Sequence, residues 1–284
     1  MNPPEAVVAW LHEHGHGDIM AARPAPGGCI NNGATLQTNS GTSFFLKVNS
    51  DAPADMFERE AEGLEALRQP DGPRVPEAYL AGRDFLLLED LAPGPRGDAF
   101  WEEFGRQLGH LHQHANASFG FPHDNYIGST PQPNPWAEDG YTFFAEHRLR
   151  FQARLARHHR WLNDKDVAGV DRIIRRLPDL VPVQPASLIH GDLWSGNATS
   201  GPNGEPALID PAAHYGWAEA ELAMTMLFGA FPGEFYAAYE EVRPLAAGWR
   251  ARMSLYNLYH LLNHLNIFGA NYLDQVRIVI RRYA

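Results

Sequence analysis

The residues best suited to chemistry lie late in the chain. His190-Gly191-Asp192 is followed by Asn197, and a short apolar run then ends at Asp210. One carboxylate of such a set can accept the proton of an attacking hydroxyl, while an amide oxygen and a second carboxylate hold Mg²⁺ against the phosphates of ATP. The order matches the pattern H-x-D-x-x-x-x-N followed by D. It predicts Asp192 as the proton acceptor and Asn197 and Asp210 as Mg²⁺ ligands, whereas the alternative for Asp192 is an Asx-turn.

A lysine and a glutamate in the first third of the chain are predicted to form an ion pair. Lys47 interrupts an apolar strand pattern over residues 43–48, although the chain has only one other lysine. Glu60 falls on the apolar face of a predicted helix over 54–69, where an unpaired carboxylate would be costly. A compact ammonium on a strand beneath the phosphates is what a kinase requires. The alternatives are a lysine that faces solvent and a glutamate at the rim of the apolar face.

The remaining patterns predict a scaffold in two parts. The first part contains a helix over 5–14, a glycine-rich segment over 27–33, strands over 35–38, 43–48 and 85–88, and the helix over 54–69. A Pro/Gly break over 91–95 indicates a hinge. Beyond it, helices are predicted over 100–114, 141–159, 167–177, 219–228, 233–241, 248–268 and 271–284, with a long loop over 115–140. We therefore expect an α+β, bilobal fold: an N-terminal nucleotide-binding lobe over 1–90, with an antiparallel sheet and one main helix, and a larger, mostly helical catalytic and substrate lobe over 91–284.

The bulk composition restricts the class of protein. The 284 residues carry a formal net charge of −11 without a long Lys/Arg cluster, which argues against nucleic acid as a partner. No apolar run approaches the roughly 18 to 20 residues that span a bilayer, and the first residues lack a signal-peptide pattern. We therefore expect a cytoplasmic protein that binds neither nucleic acid nor membrane. The single cysteine, Cys29, excludes an intramolecular disulfide and a Cys-based zinc site.

Several segments together resemble the fructosamine kinase (ketosamine-3-kinase) family, within the aminoglycoside-phosphotransferase-like branch of the protein-kinase-like fold. Asp124-Asn125-Tyr126-Ile127-Gly128 and the His-Gly-Asp-Leu-Trp-Ser-Gly-Asn segment over 190–197 are specific to that family. Segments over 28–33, 45–49, 56–60, 210–212 and 259–269 add to the resemblance, which covers the chain from about residue 27 to about residue 270.

The resemblance implies ATP-dependent phosphorylation of the 3-hydroxyl of ketosamines, either as small molecules or as protein-bound glycation adducts, in a deglycation repair activity. It implies a nucleotide site formed by Gly28, Cys29, Lys47 and Glu60, with Glu89, Asp90 and Leu91 meeting the adenine through backbone groups. Contacts with the substrate are expected from Asp124, Asn125, Trp194, Trp217 and Glu219. Core packing is an equal alternative for Trp217.

Other functions and states stay open at this point. A small-molecule kinase for another acceptor, such as an aminoglycoside or choline, would keep the same chemistry. A non-catalytic nucleotide-binding regulator is disfavoured by the intact charged set, and a protein kinase by Asp210-Pro211 in place of Asp-Phe-Gly. We expect a monomer or a homodimer. The resemblance also suggests an intermolecular disulfide through Cys29, although we favour a small apolar loop residue there.

Overall fold

The computed structural model describes residues 2–25 and 32–284, and the N-terminal part is built around one sheet. Its five strands are β1 (Ile19–Ala25), β2 (Asn32–Thr38), β3 (Ser43–Val48), β4 (Ala78–Ala81) and β5 (Phe85–Glu89). They pair antiparallel in the order β1-β2-β3-β5-β4. Helix α1 (Glu5–Glu13) precedes the sheet, and helix α2 (Met56–Leu67) connects β3 to β4.

Side-chain alternation along the strands separates the two faces of this sheet. On one face, Phe44 and Leu46 of β3 join a buried apolar cluster with residues of α1. The intervening Lys47 therefore points to the other face, where its pairing partner Leu86 belongs to the apolar cluster that includes α2. The period of the strand thus aims the single buried lysine at the helix that carries Glu60.

The C-terminal part is mostly helical. Its helices are α3 (Phe100–Leu111), α4 (Gly140–Phe143), α5 (Phe151–His158), α6 (Asp164–Leu180), α7 (Ala218–Met224), α8 (Gly233–Val242), α9 (Trp249–Phe268) and α10 (Leu273–Tyr283). A π-helical segment, Phe144–Arg150, joins α4 to α5, and a 3₁₀ turn, Ala270–Tyr272, precedes α10. Helix α9 is apolar on most of its faces and packs against α5, α7 and α10. It therefore forms the centre of this part of the core.

Short strands lie in the connections between these helices. They are β6 (Ala115–Asn116), β7 (Asn125–Ile127), β8 (Thr130–Gln132), β9 (Ala186–Ile189), β10 (Ala198–Ser200), β11 (Pro206–Leu208) and β12 (His214–Gly216). Strands β12, β9 and β6 form a three-stranded sheet, while β7 with β8 and β10 with β11 form two hairpins. The segment that follows β9 is thus held at the end of a fully buried strand.

Backbone hydrogen bonds join the two parts along the β10–β11 hairpin. The Arg74 N–H donates to Pro206 O at 2.9 Å, and the Leu208 N–H donates to Arg74 O at 2.8 Å. On the opposite side, the Gly94 N–H donates to Gly201 O at 3.0 Å, and the Ser200 hydroxyl donates to Gly94 O at 2.7 Å. The connection after β5 is therefore fixed against the same hairpin that leads into Asp210.

The structure confirms the predicted α+β class, the antiparallel N-terminal sheet and the mostly helical C-terminal part. The apolar run that ends at Asp210 overlaps β11, whereas sequence patterns did not predict β1, β4 or the other short strands of the C-terminal part. The loop expected over 115–140 contains the β7–β8 hairpin. Within the described ranges, none of the helices is both long and apolar enough to cross a membrane. The proposed lobe boundary at residue 90 stays a prediction.

Candidate active site

The loop that carries Asp192 and Asn197 follows β9. The Asn197 amide nitrogen donates to the Asp192 backbone oxygen at 2.8 Å and lies 3.3 Å from its carboxylate oxygen Oδ2. Gly191 has a φ of +84°, and a Cβ there would come within 2.1 Å of Ala212 O. Only glycine fits both restrictions. Gly191 thus lets the chain turn after β9, and Asn197 of the same loop holds the Asp192 carboxylate.

A buried carboxylate that sequence reasoning missed holds this loop from below. Glu221 on α7 accepts the backbone N–H groups of His190 at 2.8 Å and Gly191 at 2.7 Å, one on each carboxylate oxygen. His112, the residue directly after α3, donates from Nε2 to the same carboxylate at 3.0 Å. Burial alone would raise the pKa of Glu221, but these partners, His112 first, hold it below its ordinary value. The ionised carboxylate thus fixes the loop immediately before Asp192.

His190 connects the two acidic segments of the site. Its ring Nε2 lies 2.8 Å from Ile209 O, and the Asp192 N–H donates to its Nδ1 at 3.2 Å. Burial lowers the pKa of His190, so the ring is neutral at ordinary pH. Because both ring nitrogens bind backbone groups, this geometry gives His190 a structural role.

The environment of Asp192 favours proton uptake. Burial raises its pKa well above the ordinary value, and the negative charges of Asp210 and Glu221 raise it further, against the Asn197 hydrogen bond that lowers it. A carboxylate with a raised pKa is a better proton acceptor than a fully solvated one. The chemistry predicted for Asp192 is therefore consistent with its surroundings.

Lys47, Glu60 and Asp210 meet in one charged cluster. The Lys47 ammonium donates to both carboxylates. Burial alone would lower the pKa of Lys47, but the charges of Asp210 and Glu60 raise it above its ordinary value, so the ammonium stays protonated. Although burial would raise the pKa of Asp210, Lys47 holds it below its usual range. The structure thus brings the predicted pair together and adds Asp210 as a third member.

The residues present fit a divalent cation bound together with phosphates. The Asp210 side chain is 42% exposed, so it remains accessible beside Lys47. In the described part of the chain, the Asn197 hydrogen bonds run through its side-chain amide nitrogen, its backbone N–H and its backbone carbonyl, which leaves Oδ1 as a potential ligand. No group of three or more acidic, His or Cys side chains in those ranges could hold a metal alone. Two protein ligands plus phosphate oxygens are the usual Mg²⁺ arrangement.

The residues predicted to meet the adenine lie where the chain leaves β5. Glu89 is ion-paired with Arg74, and Leu91 is buried. The Asp90 side chain accepts the Ala92 N–H at 3.1 Å, which closes a short turn with Ala92 at a φ of +42°. This position at the joint of the two parts suits the predicted backbone contacts, which stay a prediction. Gly28 and Cys29 lie outside the described residues, so the nucleotide loop and the Cys29 disulfide also stay predictions.

Two of the residues predicted to face the substrate, Asp124 and Asn125, lie at the start of the β7–β8 hairpin. Asn125 is 5% exposed, and its amide nitrogen donates to Ala213 O at 2.8 Å. Gln132 and Asn134 donate to its oxygen at 2.7 and 2.9 Å. Asp124 accepts the backbone N–H of Asn134 at 2.7 Å. These partners hold the Asn125 amide inside the hairpin, whereas Asp124 is exposed. Contacts of both residues with the substrate stay predictions.

Trp217 and Glu219 are also placed in the interior. Trp217 is 4% exposed and contacts the rings of Phe144 and Tyr256. Glu219 is 2% exposed, with Arg252 donating to both carboxylate oxygens at 2.7 and 2.9 Å and the Tyr256 hydroxyl donating to one of them at 2.9 Å. Trp217 also lines a cavity together with Gly191, and the predicted substrate contacts of both residues stay predictions. Core packing, the alternative for Trp217, agrees with this placement.

Trp194 lies in the catalytic loop. It is partly exposed and follows Asp192 by two residues in the same loop. A Cβ at Gly196 would lie 2.3 Å from the Trp194 ring, so glycine there allows the indole to lie flat over the loop. The Trp194 ring is therefore accessible beside Asp192, and its contact with an acceptor sugar stays a prediction.

The β7–β8 hairpin also braces helix α2, which supports a testable expectation. The Tyr126 hydroxyl donates to Asp55 Oδ1 at 2.7 Å, directly before α2 begins. Helix α2 carries Glu60, which holds Lys47. Tyr126→Phe removes the hydrogen bond to Asp55, so we expect the KM for ATP to rise about two- to tenfold, the range that ~0.5–1.5 kcal/mol allows. Tyr141→Phe is the matched control, because it removes a hydrogen bond of 2.9 Å to Val181 O, far along the chain from α2. Equal KM values for the two variants in steady-state assays would contradict the brace.

Solved structures with the same fold define the class of protein. A Thermobifida fusca protein provisionally named a fructosamine-3-kinase has a TM-score of 0.87 and 35% identity, covering 98% of this chain and 100% of the other. A choline kinase from Streptococcus pneumoniae has a TM-score of 0.65 at 14% identity, covering 98% and 99%. The second likeness shows the fold alone. The fold predicted from the sequence, a bilobal protein-kinase-like one, is therefore confirmed.

Relatives in sequence identify the family. Residues 4–284 match the family model described as fructosamine kinase. A protein of Synechocystis sp. named a probable ketoamine kinase is 42% identical over 269 residues, which are 93% of this chain and 90% of the relative. A chloroplastic protein-ribulosamine 3-kinase of Oryza sativa subsp. japonica is 41% identical over 293 aligned positions, and the match covers 98% of this chain and 83% of the relative. The chain belongs to the fructosamine kinase family.

Proposed function

We propose that this protein transfers the terminal phosphoryl group of ATP to the 3-hydroxyl of ketosamines, which are ketose sugars joined to an amine. The observation that carries the proposal is the convergence of Asp192, Asn197, Asp210, Lys47 and Glu60 in one site of a fructosamine kinase family member. Relatives named ketoamine kinase and ribulosamine 3-kinase support the same acceptor class. The product is a sugar phosphate adduct that can break down and release the amine, which makes the activity a deglycation repair.

Asp192 acts as the proton acceptor for the 3-hydroxyl. The Asn197 amide holds its carboxylate, so the free oxygen is oriented before the substrate arrives. The raised pKa of Asp192 lets it take the proton as the oxygen attacks, and Glu221 keeps the loop from moving. The protein contributes position and proton transfer rather than covalent chemistry.

Lys47 and the metal ligands serve the nucleotide. The Lys47 ammonium is held by Glu60 and Asp210 and meets the phosphates as a compact charge. Asn197 and Asp210 are the residues that would hold Mg²⁺. When bound, Mg²⁺ neutralises the charge that develops on the transferring phosphoryl group. We assign the adenine to the backbone at Glu89, Asp90 and Leu91.

A panel of acceptors tests this function. ATP consumption with Mg²⁺ is measured with ribulose-lysine, fructose-lysine, an aminoglycoside, choline and no acceptor. Turnover with the two ketosamines alone is the expected result, and ³¹P and ¹³C NMR of the product should place the phosphate on O3. Turnover confined to the aminoglycoside or choline would replace the acceptor class. A panel without turnover, combined with ATP binding measured by calorimetry, would overturn the kinase proposal in favour of a nucleotide-binding regulator.

The proposed acceptor is a ketosamine, free or protein-bound, and the monomer or homodimer state stays a prediction. The cytoplasmic location stays a prediction as well, since the rice relative is named as chloroplastic.

A further inference from the structure

Five aromatic side chains form a connected surface that begins in the catalytic loop, which we call the aromatic strip. Its members are Trp194, Phe228, His264, Phe268 and Tyr272. Trp194 meets Phe228 edge to face, with ring centroids 6.1 Å apart, and Phe228 lies 4.8 Å from His264. His264 continues the contacts to Phe268 at 5.5 Å and to Tyr272 at 5.0 Å.

The strip leads from the interior to solvent along one face of α9. His260, His264 and Phe268 are spaced by four residues, so they share a face of the helix. His260 is 5% exposed and lines a cavity with Gly191, His264 is partly exposed, and Phe268 is 46% exposed. Phe228, on the side of Trp194, is 36% exposed. At about 1.5 Å per residue, the eight residues from His260 to Phe268 cover roughly 12 Å. Along α9, the strip thus runs from His264, next to the buried His260, to the exposed Phe268, and Phe228 connects it to Trp194 in the catalytic loop.

The chemistry of the strip suits an alkyl chain with a positive charge. Its members are uncharged, since burial lowers the pKa of His264 and leaves the ring neutral. Aromatic faces attract ammonium groups through their quadrupole and also pack well against methylene groups. Large apolar side chains that are connected and exposed are uncommon on a protein surface without a binding role.

We propose that the aromatic strip is the subsite for the amine-bearing substituent of the ketosamine. This inference rests on the proposed function. In a ketosamine, the amine is on C1 and the reacting hydroxyl on C3, so only one carbon lies between the two substituted atoms. When O3 faces Asp192, the amine and its substituent must therefore leave the site through its immediate surroundings. Trp194 is two residues from Asp192, and the strip continues from it without a break in the ring contacts.

The subsite explains how one catalytic centre would select glycation adducts. The sugar part of a ketosamine offers hydroxyls to the catalytic loop, while a lysine side chain or another extended amine offers methylenes and a cation to the rings. A simple ketose without an amine would leave the strip uncovered. Selectivity would therefore come from the length and apolar character of the amine, which is a contact separate from phosphoryl transfer.

A substrate series against strip variants tests the inference. The substrates are the fructose adducts of methylamine, hexylamine and benzylamine, and the variants are Phe228→Ala and Phe268→Ala. Ile278→Ala is the matched control, because Ile278 is a 56% exposed apolar residue on α10, outside the strip. The wild type should prefer the hexylamine and benzylamine adducts over the methylamine adduct. Each strip variant should reduce that preference about tenfold, corresponding to ~1.4 kcal/mol of lost contact, and should do so through KM rather than kcat.

The outcomes separate this inference from the proposed function. A lost preference in both strip variants, with the control at the wild-type ratio, supports the subsite. A wild type that turns over the three adducts with equal KM, or variants that keep the wild-type preference, would overturn the subsite while leaving the kinase function intact. Absence of turnover with every ketosamine would overturn the function and the subsite together. A wild-type dimer in sedimentation that dissociates in the strip variants would show that a second copy of the chain covers the strip, which also overturns the subsite.

Discussion

Asp192→Asn is expected to lower kcat by a factor of about 10² to 10⁴, the usual loss when a general base is removed. Asparagine has nearly the same shape as aspartate, so Asn197 and the loop keep their positions. The amide, however, cannot accept the proton of the 3-hydroxyl. Because Lys47, Asp210 and the segment after β5 are unchanged, the affinity for ATP should stay within about twofold of wild type.

Two measurements and one control decide this prediction. Steady-state kcat with ribulose-lysine reports the chemical step, and calorimetric titration with ATP and Mg²⁺ reports nucleotide binding. Asp164→Asn is the control, since Asp164 forms an ion pair with Arg157 at 2.8 Å while its own side chain is 89% exposed. A loss of ATP binding equal to the loss of kcat would mean that Asp192 supports the nucleotide site instead. Near-normal turnover would refute its role altogether.

The parts of the site that could be predicted are those whose geometry is local in the sequence. Asp192 and Asn197 belong to one loop, so their spacing alone implies that they meet, and a hydrogen bond joins them. Lys47 and Glu60 are farther apart, but strand alternation and the apolar face of a helix each fix one direction. These two regularities point the side chains toward one another without further knowledge of the fold.

The role of the buried Glu221 carboxylate and the burial of Trp217 and Glu219 could not be predicted in this way. Glu221 binds His190 and His112, which lie 31 and 109 positions away in the chain, and such pairings depend on packing of whole helices. The family resemblance assigned the neighbouring Glu219 to the substrate instead. One signal was available: two glutamates within the apolar helix α7 both need buried partners. That signal indicates a pairing but does not name the partner.

Removal of the Glu221 carboxylate is expected to have the largest effect on stability. Glu221→Ala leaves two backbone N–H groups, those of His190 and Gly191, without an acceptor in a fully buried region, and it deprives His112 of its partner. Breaking such a buried set costs about 3–5 kcal/mol. In a chain of this size, that loss lowers the melting temperature by roughly 10 °C. Glu221→Gln should have an intermediate effect, since its oxygen can accept one N–H while its NH₂ opposes the other.

Removal of the Glu221 carboxylate is also expected to lower kcat, which loss of a structural contact far from the site would not do. Glu221 touches the two residues directly before Asp192, so the variants that remain folded at low temperature should lose kcat while keeping their affinity for ATP. Calorimetry gives the melting temperature, and assays at 10 °C give kcat and ATP affinity for the folded protein. Glu240→Gln is the control, because Glu240 lies on α8 with a side chain 41% exposed and only a 3.9 Å contact to Arg250. A Glu221→Gln variant with lowered melting temperature but wild-type kcat would show that the carboxylate supports the fold without positioning Asp192. Losses of both melting temperature and kcat would instead support a role of Glu221 on α7 in positioning Asp192 for proton transfer.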